Sequence, residues 1–270
     1  TTHISFIGGG NMASAIIGGL LRQGLRADQL SVVEPFGPTR DKLLAQFGIQ
    51  ALAAADARLA PSTLVVWAVK PQTFRDAAAA ARPHTLEALH LSVAAGIRSD
   101  SIARWLGTER IVRSMPNTPA LVGKGMTALF ARAAATADDR TTVENVMAST
   151  GEVLWVQQES QLDAVTAISG SGPAYVFYFI EAMTEAGVGM GLTREQAHRL
   201  AVGTFVGASE LARTAQDPPE ILRERVTSKG GTTFAAISAM EHANMKALFV
   251  RAIQAAEVRA RELGDEFGKD

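Results

Sequence analysis

The sequence predicts an α/β Rossmann domain at the N-terminal side, followed by an all-α dimerisation domain. Three observations carry that expectation: a glycine-rich turn at residues 8–10, short apolar runs alternating with amphipathic ones to about residue 160, and a remainder that reads as helix throughout. The division falls at residues 1–161 and 162–270.

The turn is the most informative stretch. Ile4, Phe6 and Ile7 enter Gly8, Gly9 and Gly10, and Asn11, Met12 and Ala13 then open a helical pattern that runs to Leu21. The spacing is G-x-G-x-x-A. Gly8 permits a tight strand-to-helix turn, Gly10 lets backbone approach a pyrophosphate, and Ala13 lets helix lie close on strand. The helix start supplies N–H groups and a positive dipole end to phosphate oxygens.

Further strands are expected over residues 30–34, 64–69, 89–94, 110–115, 126–131 and 153–156, with helices over 39–46, 72–81, 99–106 and 138–149. Such alternation signals a parallel sheet covered by helices. Beyond residue 161 the pattern is helical. A capping box, Thr193 to Gln196, opens a helix to residue 214, Asp217-Pro218-Pro219 marks a boundary, and a final amphipathic helix covers 245–263. Residues 174–183 and 201–208 are apolar nearly all round, so these helices are expected to pair with another subunit.

Bulk properties exclude several functions. Lys plus Arg number 26 against 27 Asp plus Glu, without a basic cluster, which gives no electrostatic support for nucleic-acid or anionic-membrane binding. There is no cysteine, hence no disulfide, thiolate nucleophile or thiolate-bound zinc, and the five histidines lack metal-ligand spacing. No apolar stretch is long enough to span a bilayer, and no leader-like segment precedes the first strand, so a soluble cytoplasmic protein is expected.

The candidate chemistry lies at strand ends. Glu34 closes the second strand about two dozen residues beyond Gly10, where an acidic group accepts from an adenosine 2′-OH and repels a 2′-phosphate. Arg40 follows and could pair with that phosphate, which leaves NADPH and NADH both open. Ala68, Val69, Lys70 and Pro71 end a third strand, Ala94, Ala95 and Gly96 a fourth, and Pro116 and Asn117 a fifth. In an open parallel sheet these ends line one crevice. In the helical half, the run Ser169-Gly170-Ser171-Gly172-Pro173 feeds one helix, and Ser228, Lys229, Gly230, Gly231, Thr232 and Thr233 feed another. Hydroxyls at a helix start suit a carboxylate, and they are equally ordinary helix caps.

The ordered blocks IGGGNMASAIIGGL, AVKPQ, SVAAG, MPNTPA, SGSGPAYVF and VTSKGGTTFAAI resemble the pyrroline-5-carboxylate reductase family nearly end to end. The resemblance implies reduction of 1-pyrroline-5-carboxylate to L-proline by NAD(P)H, and a helical domain that joins subunits into dimers and on into decamers. It places substrate on Ser228, Gly230, Gly231, Thr232 and Thr233, with Thr233 beside the reacting nitrogen. It places the dinucleotide against residues 8–12, 68–71, 94–96, Pro116 and Asn117. Two departures stand out: Lys229 where the family has proline, and Glu34 where many members favour NADPH. A β-hydroxyacid dehydrogenase is the rival enzyme, but its catalytic lysine position is matched by Val176, and no lysine lies between Lys124 and Lys229. A non-catalytic dinucleotide sensor is the rival of another class.

Overall fold

The structure, a computed structural model, describes residues 2–268. Seven apolar runs become strands: β1 (Ile4–Ile7), β2 (Leu30–Val33), β3 (Leu64–Trp67), β4 (Leu89–Ser92), β5 (Ile111–Met115), β6 (Gly125–Ala131) and β7 (Gly151–Trp155). They form one sheet in the order β2-β1-β3-β4-β5-β6-β7. β1 to β5 are mutually parallel, in the Rossmann manner that the alternation predicts.

The sheet is not parallel throughout. β6 runs antiparallel to β5, with Met115 opposite Ala128, and β7 runs parallel to β6. The cause is the connection. Only residues 116–124, wound into a short 3-10 turn (Thr118–Val122), separate β5 from β6. A parallel crossover needs a dozen or more residues, so the chain turns back as a hairpin.

Both faces of the sheet are buried, as strand alternation requires. On one face Phe6, Val32, Val66, Leu91 and Val112 pack with α1 (Asn11–Arg22) and α5 (Ala137–Ala148) through Ile16, Ile17, Val143 and Met147. On the other, Ile7, Val65, Trp67 and Ile111 pack with α3 (Pro71–Ala81) and α4 (Ser99–Leu106) through Phe74, Ala78, Ile102 and Leu106. Trp67 stacks on Phe74 at 4.9 Å between ring centroids. The remaining helix of this region, α2 (Gly37–Phe47), starts two residues earlier than expected because Gly37 and Pro38 occupy its first turn, where proline is tolerated.

Beyond β7 come α6 (Gln161–Val165), a π-helical turn (Thr166–Gly170), α7 (Gly172–Gly189), α8 (Arg194–Thr214), α9 (Pro219–Arg225), α10 (Thr232–His242) and α11 (Met245–Phe267). The capping box at α8 is present, with Thr193 Oγ1 accepting from Gln196 N at 3.1 Å. Where the sequence shows a boundary at Pro218-Pro219, the structure starts α9 with Pro219 as its first residue.

The chain forms two compact units. One holds residues up to Ser171 together with those from Ala256 onward; the other is Gly172–Ala255. A cut between residues 161 and 162 would pass through α6, whose Leu162 is buried in the first unit along with Ala167. α11 also extends past the expected end at 263, because Gly264 lies inside the helix rather than stopping it. In the second unit α7 and α8 approach closely at Gly187, where a Cβ would lie 2.6 Å from Ala197 Cβ. Tyr175 and Phe179 meet Phe249 edge to face. Phe177, Tyr178, Leu200, Val206 and Leu211 stay exposed on the single chain. Among the described residues no helix is long and apolar enough to cross a membrane.

One buried polar pair in the sheet titrates. His90, on β4, accepts from Trp67 Nε1 through Nδ1 at 3.0 Å, and burial lowers its pKa to about 4. In the unfolded chain a histidine titrates near ~6.5. Between those values the unfolded state binds a proton that the folded state refuses. The stability is therefore complete above about pH 6.5 and drains as pH falls toward 4. His90→Gln, which keeps an acceptor for Trp67, is expected to flatten the acid limb of urea-unfolding free energy by about 1 kcal/mol per pH unit.

Candidate functional site

The first candidate site is the turn after β1. Gly8 has φ +96°, and a Cβ there would clash with the Ala68 carbonyl, 2.8 Å from its carbon. Glycine is required on both counts. A Cβ on Gly9 would meet Leu43 Cδ1 at 2.7 Å, whereas one on Gly10 would meet nothing within 4 Å. The three glycines thus divide the work: two admit protein packing, and the third leaves its backbone face open to a ligand. Gly10 caps α1 without a side-chain hydrogen bond, so the first-turn N–H groups of Asn11 and Met12 meet no side chain of their own cap. A phosphate fits this open, positively polarised cradle. Ala13 is fully buried behind it, as its place in the spacing predicts.

Glu34 proves to be tied to the turn. Its Oε2 accepts from Gly9 N at 2.9 Å and its Oε1 from Phe36 N at 2.9 Å. Arg40 Nη1 donates to the carbonyls of Glu34 at 2.9 Å and Pro35 at 2.6 Å. The acidic group that sequence reasoning assigns to a ribose therefore also braces the glycine turn, and the arginine braces the segment behind it.

Register brings the other strand ends to the same rim, since Ile7 pairs with Trp67 and Trp67 with Ser92. Ala68 and Val69 follow β3, exposed Lys70 caps α3, and Pro71 is its first residue. After β4, Ala94 is buried and Ala95 exposed, and Gly96 takes φ +74°. After β5, Pro116 is buried and Asn117 half-buried.

Asn117 departs from the expectation of a side chain held ready for ligand. Its Oδ1 accepts from Met126 N at 2.9 Å, and its Nδ2 donates to Ser169 O at 3.0 Å. It locks the end of β5 to the start of β6 and to the π-helical turn. Gly170 in that turn faces Met115, whose Cε would lie 2.5 Å from an added Cβ. Part of the Ser-Gly-Ser-Gly signal is thus a packing requirement of the first unit. The sequence clue was the run of small residues; the partner across the fold had no local signal.

A second candidate site belongs to the helical unit. Gly230 turns the chain with φ +76°, Gly231 lies against Ser228, and its N–H donates to Ser228 O at 3.0 Å. Gly231 then caps α10 with extended backbone and no side-chain hydrogen bond, so Thr232 and Thr233 are its first two residues. Uncapped N–H groups at this helix start, with Ser228 Oγ beside Gly231 and hydroxyl-bearing Thr232 and Thr233 in the first turn, are of the kind a carboxylate would need. Lys229 and Ser228 are exposed beside them.

The helix start after β1, on a parallel sheet with open N–H groups, is of the kind found in dinucleotide-dependent oxidoreductases, and the comparisons give that class. Residues 3–96 match the family model described as NADP oxidoreductase coenzyme F420-dependent, and residues 159–263 match pyrroline-5-carboxylate reductase dimerisation. The pyrroline-5-carboxylate reductase of Pseudomonas aeruginosa is 42% identical over 271 residues, covering 100% of this chain and 99% of that protein. The structure of the Coxiella burnetii reductase superposes with TM-score 0.89 at 38% identity over 97% of this chain and 98% of its own. The Plasmodium falciparum enzyme, with NADP bound, gives 0.87 at 27% identity over 98% of each chain. The chain belongs to the pyrroline-5-carboxylate reductase family.

The Glu34 geometry separates two effects of substitution. Glu34→Gln loses the charge and, having one acceptor oxygen, keeps only one of the bonds to Gly9 N and Phe36 N; it is expected to improve NADPH binding relative to NADH by about 5- to 10-fold. Glu34→Ser cannot reach Gly9 and is expected to weaken both cofactors as well. Titrating each variant with both dinucleotides checks this; an unchanged ratio in Glu34→Gln would leave Glu34 as a brace only.

Proposed function

We propose that this chain reduces 1-pyrroline-5-carboxylate to L-proline, with NADH or NADPH as hydride donor. The observation that carries the reading is the start of α10, where Gly231 caps the helix without a side chain and Ser228, Thr232 and Thr233 bring hydroxyls to it. Family membership supports it, as does the NADP held by the Plasmodium falciparum relative.

The chemistry adds a hydride to the imine carbon and a proton to its nitrogen, and the nicotinamide supplies the hydride when bound. The chain's residues position and polarise. The α10 N–H groups, with Ser228 and Thr232, hold the carboxylate; its negative charge complements the positive end of the helix dipole. Thr233 is assigned the hydrogen bond to the ring nitrogen. The turn at Gly8, Gly9 and Gly10, with Asn11 and Met12, holds the pyrophosphate, and residues 68–71 and 94–96 with Pro116 flank the rest. Asn117 contributes by fixing the rim through its two backbone bonds.

Assembly belongs to the same reading. The exposed aromatic and aliphatic side chains of α7 and α8, within a region that matches a dimerisation model, support a homodimer, with a decamer as the larger form. The absence of cysteine suits work in the reducing cytoplasm.

Folded protein is expected to oxidise NADH or NADPH only when 1-pyrroline-5-carboxylate is supplied, with proline as product; no turnover with either cofactor would overturn the proposal. Thr233→Val is expected to lower kcat by roughly 5- to 150-fold, the worth of one transition-state hydrogen bond of about 1–3 kcal/mol. An intact kcat with a lowered Tm would make Thr233 a helix-start residue alone.

A further inference from the structure

The loop between β4 and α4 has two faces. Ala95 is exposed on one side. On the other, the last described turns of α11 close against the backbone: a Cβ on Gly96 would lie 3.3 Å from both Leu263 Cβ and Phe267 Cδ2. Phe267 also packs on the core cluster that holds Ala94, Ile97 and Ile102. The loop's last residue, Arg98, is the N-cap of α4 and pairs with Asp265 at 2.7 Å. Its Nε would sit 3.0 Å from a Cβ on Gly264, so glycine there gives the guanidinium its room. One loop is thus held by an apolar grip at Gly96 and an ionic one at Arg98, both from a single helix turn. Gly264, Asp265 and Phe267 lie beyond residue 263, where the match to the dimerisation model ends.

We infer that Leu263, Gly264, Asp265 and Phe267 are positioning residues for the dinucleotide, setting the conformation of residues 94–96 from behind. The inference rests on the assignment of that loop to the cofactor. None of these four residues is assigned a contact with ligand. Their effect passes through Gly96, which holds a positive φ against Leu263 and Phe267, and through Arg98, the N-cap of α4, where the loop hands over to the helix. A loop that must be reordered before it can hold a ligand binds it more weakly, so loss of the grip is expected to read out in cofactor affinity as well as in folding.

The test uses the full chain and measures Kd for NADH and NADPH by fluorescence, beside Tm and the KM for 1-pyrroline-5-carboxylate. Phe267→Ala is expected to weaken both cofactors by roughly tenfold while the imine KM holds, and Phe267→Leu to recover most of the affinity. Parental Kd values in Phe267→Ala, with only Tm lowered, would overturn the inference. Should Phe267→Ala not fold, Asp265→Asn, an exposed change outside the core, carries the same test: about two- to threefold weaker cofactor binding supports it, and unchanged binding overturns it. Failure of the parent protein to bind either dinucleotide would instead strike the functional reading itself.

Discussion

The rim of the sheet depends on one close approach, that of Gly8 to the carbonyl of Ala68. Gly8 N donates to Val33 O at 2.8 Å, and its neighbour Ile7 accepts from Ala68 N at 2.8 Å. Three strand ends therefore converge on two adjacent residues. The left-handed backbone of Gly8 then throws the chain up from the sheet in time for α1 to begin at Asn11. A side chain at Gly8 would push β1 and β3 apart, and the open face at Gly10 would be aimed elsewhere. The open face at Gly10 is a by-product of how tightly β1 must sit between its neighbours.

Electrostatics at the glycine turn and at the start of α10 is built mainly from backbone. Glu34 spends both oxygens on N–H groups, and Arg40 spends one nitrogen on carbonyls. The start of α10 offers backbone N–H groups without a side-chain cap, and in the proposed reading these, with neighbouring hydroxyls, meet the carboxylate. Such neutral donors are fixed by the helix and need no reorganisation as charge moves during the reaction. The one strongly shifted histidine, His90, sits in the sheet beside Trp67 and serves packing.

Much of the architecture was legible because it is written in local periodicity and turn chemistry. The seven strands, the glycine turn, the capping box of α8 and the start of α10 each announce themselves within a few residues. The reversed hairpin of β5 and β6 was legible in principle, since nine intervening residues cannot make a crossover, but apolar runs alone do not show direction. What stayed hidden is long-range. Asn117 looks like a free amide until Met126 and Ser169 are placed beside it. Gly264 looks like a helix stop until Arg98 is seen to need the space. Glu34 was read for its charge, while its hydrogen bonds to Gly9 and Phe36 depend on a fold no spacing rule describes.

Because α11 is shared, the dinucleotide unit is discontinuous in sequence: its last turns are translated only after the whole helical unit has been made. A ribosome adding residues one by one releases the sheet early, but with the back of Gly96 bare and the apolar seat of Phe267 open to water. The N-terminal portion alone is then a good nucleus and an incomplete product. The loop at Gly96 gains its backing only once the last described turns of α11 exist, after the whole of Gly172–Ala255 has been made.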